Sequence, residues 1–200
     1  MTLHDPCRAA LPAIHVLQLP GWQNSGDAHW QSRWEALHGD VRVEQSDWMW
    51  PLRGDWMMRL DEAVLALEDA ASAAGSQPPV IALSAHSLGC QLVAAWAAHS
   101  RHTACVRAAL MVAPPDTERA DMPPNIHSFR PIVRTRLPFP ARVVASSDDP
   151  FCAPGRARAM AADWGAEFVD AGPRGHVNAD SGLGDWPEGR TLLAALLARP

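Results

Sequence analysis

The chain has 200 residues, of which 48% are hydrophobic and 20% charged, and its formal net charge is −5. That is enough apolar material for one well-packed domain over 1–200, and with no block of like charge there is no footprint for nucleic acid. No apolar run approaches the ~20 residues that span a bilayer, and the N-terminal MTLHDPCRAALP lacks the apolar core of a secretion signal, so neither a membrane partner nor export is expected.

Six short runs have the character of strands. AIHVLQL (Ala13 to Leu19) ends in the turn Pro20-Gly21, and VRVEQ (Val41 to Gln45) is a second. VIALSA (Val80 to Ala85) is almost wholly apolar, as a strand covered on both faces should be. VRAALMV (Val106 to Val112), ARVVAS (Ala141 to Ser146) and the weaker AEFVD (Ala166 to Asp170) complete the set. Between them lie helical patterns. Trp56 to Gly75 repeats apolar residues three and four apart and stops at a glycine suited to a C-cap. Leu88 to Ser100 puts Leu88, Leu92 and Trp96 on one face; Pro154 to Gly165 and Gly189 to Pro200 follow. Alternation of this kind predicts a mostly parallel sheet with helices on both faces. Pro114 to Pro140 is the one long irregular segment, with seven prolines, and its length suggests a lid or binding loop rather than a plain surface excursion.

The four cysteines (Cys7, Cys90, Cys105, Cys152) form no CxxC pair and read as isolated buried thiols of a reduced, cytoplasmic protein. Nine tryptophans and no tyrosine are unusual; most should fill core, but Trp48, Trp50 and Trp56 crowd one segment. His15 lies inside the first strand and reads as a packed core residue. His99 and His102 could suggest a metal pair, but no third ligand is nearby, so no metal is expected.

The most informative stretch is LSAHSLGC. Ser87 leaves the third strand and opens a helix, in the surroundings Ala85-His86-Ser87-Leu88-Gly89. This is the nucleophile-elbow pattern G-x-S-x-G with alanine in the first position, where a tight turn demands small residues on either side. A helix N-terminus there also offers free N–H groups to a developing oxyanion. Alone the pattern is weak, because serine also caps helices. Context strengthens it. His176 sits in a Gly-flanked loop after the sixth strand, where an imidazole can take the serine proton and return it to a leaving group at neutral pH. The acid should follow the fifth strand, where Asp148 and Asp149 are adjacent. The order Ser, Asp, His is that of the α/β-hydrolases. Pro150 biases Asp149 toward an extended conformation that projects its carboxylate off the strand end, which favours Asp149. One oxyanion donor should be the Leu88 N–H. The second should be Trp22 or Gln23 in LPGWQNS, where Gly21 permits an unusual backbone conformation, with Trp22 preferred because it directly follows the Pro-Gly turn. Trp22, Gln23, His86, Trp48 and Trp50 are the expected pocket residues.

LPGWQNS, the Trp and Pro of DWMWPLRGDW, AHSLG, DDPFC, MAADWGAEF and above all GHVNADSGLGDWPEG resemble the small serine hydrolases similar to retinoblastoma-binding protein nine and bacterial YdeN. The resemblance covers nearly the whole chain. It implies a compact α/β-hydrolase fold with strand order 2-1-3-4-5-6 and no large cap domain. It further implies a triad of Ser87, Asp149 and His176, the acid being the aspartate followed by proline, and no cofactor. The expected activity is cleavage of a small ester, or an activated amide, through an acyl-enzyme. Tryptophans near the site suggest an apolar or aromatic substrate group. A hydrolase-like interaction module with a vestigial triad is the rival of another class, but such a module has no need to keep nucleophile, acid and base in order. Dehalogenase chemistry on this fold wants aspartate where Ser87 stands. The oligomeric state is open, a homodimer included.

Overall fold

The computed structural model describes residues 14–199, so the N-terminal reading and Cys7 lie outside the described residues. One six-stranded, all-parallel sheet runs through it in the order β2-β1-β3-β4-β5-β6, the order expected. The strands are β1 (Ile14–Leu19), β2 (Val41–Arg42), β3 (Val80–His86), β4 (Val106–Val112), β5 (Ala141–Ala145) and β6 (Glu167–Asp170). The second strand is shorter than VRVEQ suggests. It pairs on one side only, and beyond Arg42 the chain keeps one further bond, from Val43 N–H to Gln18 O.

Side chains alternate across the sheet with the period of two that a pleated strand imposes. Leu17, Leu19, Ile81, Leu83, Ala109, Met111 and Val143 face one core; Val16, Ala82, Leu110, Val112 and Val144 face the other. Helices α2 (Arg53–Ala73), α3 (Leu88–Ala97) and α4 (Pro154–Trp164) cover the first face. Helices α1 (Trp30–His38) and α5 (Pro187–Leu197) cover the second. Residues Leu88 to Trp96 of α3 are all buried, so that helix is covered around its whole circumference and needs no amphipathic stripe.

One helix stands outside the sequence pattern, and two expectations need correction. The sequence pattern does not single out α1, because its apolar residues are two tryptophans among polar neighbours; its buried face is Trp30, Gln31 and Trp34. His15 is half-exposed rather than core, since β1 starts at the rim of the sheet and is buried only from Val16 onward. The helix after Pro51 starts at Arg53, ahead of Trp56, and ends at Ala73, with Gly75 taking the left-handed conformation (φ 62°) just beyond. Among the described residues Cys90 and Cys152 are buried and Cys105 is half-buried, all three as free thiols. No described helix is long and apolar enough to cross a membrane.

Candidate active site

The carboxyl ends of β1, β3, β5 and β6 meet at one edge of the sheet, where parallel α/β folds gather their ligands. Ser87 follows β3 and caps α3 with φ 53° and ψ −123°, a conformation that costs a non-glycine residue free energy and persists only when its surroundings enforce it. Here the Ser87 N–H is bonded to Val112 O at 2.9 Å, and the turn is hemmed in on both sides. A Cβ on Gly89 would stand 2.1 Å from Leu19 O, and one on Gly21 would stand 2.6 Å from the Ser87 Cβ. Those contacts are why small residues flank the serine. They also correct the reading of Gly21: its φ is not positive, and its task is to leave room for Ser87, while Gln23 and Asn24 take the left-handed conformation instead (φ 69° and 65°).

Ser87 Oγ lies 2.8 Å from His176 Nε2, and His176 Nδ1 lies 3.0 Å from each carboxylate oxygen of Asp149. The Asp149 side chain is 2% exposed, and one of its oxygens also accepts the Phe151 N–H at 2.9 Å. An acceptor at Nδ1 places the imidazole proton there and leaves the Nε2 lone pair for the serine hydroxyl. Asp148 points elsewhere. Its Oδ1 accepts from the Ser146 hydroxyl at 2.6 Å and the Gly175 N–H at 2.7 Å, and these bonds hold its carboxyl below the usual range.

The loop that carries His176 is fastened from beneath. His86, beside Ser87, donates Nε2–H to His176 O at 2.9 Å, and Trp30 donates its indole N–H to Val177 O at 2.9 Å. Val177 is β-branched yet has φ 50°, so these bonds and its burial secure a strained peptide next to His176. Trp34 ties the far end of the loop through Asp185 O at 2.7 Å. His86 and His29 meet edge to face at 4.6 Å. Burial, reinforced by the neighbouring imidazoles of His29 and His176, holds His86 well below the ordinary histidine range. Burial and the Arg42 charge bring His29 down to about 4.

Trp22, Gln23 and His86 line a cavity of about 320 Å³ beside Ser87. Trp48 and Trp50 do not. Trp48 packs against Trp56 at 5.4 Å, and Trp50 is 65% exposed. The segment contributes backbone instead: Trp48 O accepts the Gln23 N–H at 3.0 Å, and Met49 O accepts the Trp22 indole at 3.0 Å. Of the two expected donors the Gln23 N–H is thus engaged; among the described residues neither the Trp22 N–H nor the Leu88 N–H has an acceptor.

The apolar wall comes from residues the sequence reading did not assign: Pro115, Met122 and Ile126 from the long Pro114 to Pro140 segment, and Phe151, whose ring meets His176 at 4.6 Å. That segment lies over the cavity and is pinned rather than loose. Glu118 pairs with Arg134 at 2.7 Å and with Arg156 of α4, and Ser128 donates to Pro51 O at 2.7 Å. The signal available for it was position alone. On the opposite side of the protein, His102 is bonded to Glu68 and His99 to Ala95 O, and no group of three metal-ligating side chains occurs among the described residues.

A doubly covered parallel sheet with a strained serine after β3 and a His–Asp pair facing it defines an α/β-hydrolase fold. The chain belongs to the serine hydrolase family, whose profile matches residues 16–195. Among solved structures it is similar to a YdeN-like hydrolase of Pectobacterium atrosepticum, with 25% identity, 92% of this chain and 90% of that chain covered, and a TM-score of 0.76. It shares its fold with the ydeN gene product of B. subtilis (18% identity, 94% and 100% covered, TM-score 0.69). It also shares it with an esterase domain of a Rhodothermus marinus protein (16% identity, 94% and 88% covered, TM-score 0.62). No curated protein sequence matches the chain.

Proposed function

We propose that this hydrolase is a carboxylesterase for short-acyl esters, working through an acyl-enzyme on Ser87. The observation that carries the reading is the hydrogen-bonded chain from Ser87 Oγ to His176 Nε2 at 2.8 Å and from His176 Nδ1 to Asp149 at 3.0 Å. Ser87 Oγ attacks the ester carbonyl while its proton passes to Nε2, and Asp149 stabilises the imidazolium. The oxyanion takes the free N–H groups of Leu88 and Trp22. As the tetrahedral intermediate collapses, the C–O bond to the leaving alcohol breaks and His176 returns the proton to that oxygen. Water repeats the sequence on the acyl-enzyme, giving the acid and restoring the serine.

The cavity volume and its wall of Met122, Ile126 and Phe151 support a small apolar acyl group. A series of para-nitrophenyl esters tests this. Turnover should peak at short acyl chains, and Ile126→Ala should move the optimum to longer ones. A rate that climbs steadily through long-chain esters in the native protein contradicts the short-acyl reading.

A further inference from the structure

Three carboxamides border the cavity, those of Gln23, Asn24 and Asn178, and hydrogen bonds fix the two asparagines the same way round. Asn24 Oδ1 accepts from the Ser25 N–H and from Arg42 Nη1, each at 2.8 Å. A guanidinium only donates, so the oxygen must face it and the NH₂ is left over. Asn178 Oδ1 accepts the Asp180 N–H at 3.1 Å in the capping box of the short 3-10 turn Ala179–Ser181, which again leaves Nδ2 unused. Among the described residues neither Nδ2 has a hydrogen-bond acceptor. A third donor lies in the wall. His29 Nδ1 accepts the Gln31 N–H at 3.1 Å, so its proton sits on Nε2, which is buried without a partner. No Asp or Glu side chain lines the cavity among the described residues. The wall therefore offers more hydrogen-bond donors than the ester carbonyl can use, and a donor left unmatched in a closed site is costly.

We propose that Asn24 and Asn178 form a donor subsite that selects esters carrying a second, neutral oxygen acceptor close to the scissile bond: an ether, hydroxyl or oxo group. The proposal rests on the esterase reading. Asn24 stands two residues after Trp22 and Asn178 two residues after His176, and both asparagines line the same cavity as Ser87. Arg42, behind Asn24, is already paired with Glu35 at 2.8 Å, so the subsite presents dipoles rather than net positive charge, which suits a neutral oxygen better than a carboxylate.

Matched esters differing by one oxygen for one methylene provide the test. On the acyl side, para-nitrophenyl methoxyacetate is compared with para-nitrophenyl butanoate. On the alcohol side, methoxyethyl butanoate is compared with butyl butanoate. In at least one pair kcat/KM should favour the oxygen-bearing ester beyond the ratio of their alkaline hydrolysis rates. Asn24→Asp and Asn178→Asp keep the accepting oxygen for Arg42 or for the 3-10 turn and replace the donor with an acceptor; the charge they add acts on both esters of a pair, so the ratio within the pair reads the donor. One or both should lower that selectivity roughly 2- to 10-fold, the range of a single hydrogen bond. Selectivity unchanged in both variants, with the plain esters still turned over, overturns the subsite and leaves the esterase reading in place. No turnover of any of the four esters, with Ser87 unlabelled by a fluorophosphonate, overturns the esterase reading and the subsite together.

Discussion

Two adjacent aspartates follow β5, and their hydrogen bonds give them different tasks. Asp149 is buried and grips the imidazole with both oxygens; Asp148 is exposed and ties the β5 turn to Gly175. Asp149→Asn should therefore lower kcat by roughly 10² to 10⁴, because the ring loses the charge that stabilises its protonated form and is free to take the wrong tautomer. Asp148→Asn should leave kcat within a few-fold and lower the midpoint of thermal unfolding, since it weakens only the turn. Steady-state kinetics on both variants, with folding checked by circular dichroism, decides the matter. A larger activity loss for Asp148→Asn would transfer the acid's role to that residue. Pro150 makes this distinction legible in the sequence, because it restrains the residue before it and not the one before that. The two asparagines of the donor subsite were not legible in the same way. Their orientation depends on Arg42 and on the Ala179–Ser181 turn, partners that only the folded chain brings to them.

Helix α1 carries a function that its weak pattern hides. It is capped by His29, whose Nδ1 accepts the Gln31 N–H, and two of its tryptophans reach under the His176 loop. The indole of Trp30 holds the carbonyl of Val177, one residue from His176, against a backbone conformation that a β-branched residue resists. Trp30→Phe keeps most of the packing and removes that one donor. It should cost about 1 kcal/mol of stability, lower kcat several-fold and leave KM nearly unchanged, because it displaces the base without touching the acyl wall. A variant in which KM rises while kcat holds would show that Trp30 shapes the pocket instead. The strand and helix order was readable because β1, β3, β4 and β5 are buried on both faces, which forces continuous apolar runs. Helix α1 was not, since its stabilising contacts are indoles bonded to a loop about 150 residues away. The Trp48 and Trp50 assignments failed for a related reason: proximity in sequence to a pocket segment does not say which way a ring turns, and here the backbone carbonyls face the site.

At the scale of the whole molecule, two buried imidazoles make stability depend on pH. In the unfolded chain a histidine takes its proton near pH 6.5, whereas in the folded protein His29 does so at about 4 and His86 is also held far down. Between those values the unfolded state binds more protons, so stability is complete above pH 6.5 and is lost as pH falls toward 4. For His29 alone the full shift corresponds to about 3 kcal/mol. The urea midpoint should drop markedly between pH 7 and pH 5, and His29→Asn, which keeps a cap acceptor without a titrating ring, should flatten part of that fall. A midpoint that stays level across this range would mean that neither imidazole is buried in its neutral form.

The central claim is that the sheet edge turns one ordinary hydroxyl into a nucleophile. Treating the native protein with a fluorophosphonate and weighing the intact product by mass spectrometry tests it most directly. The account predicts one added phosphonyl group, located on Ser87 after proteolysis and missing from Ser87→Ala. An unlabelled native protein, or equal labelling of the Ser87→Ala variant, would contradict it.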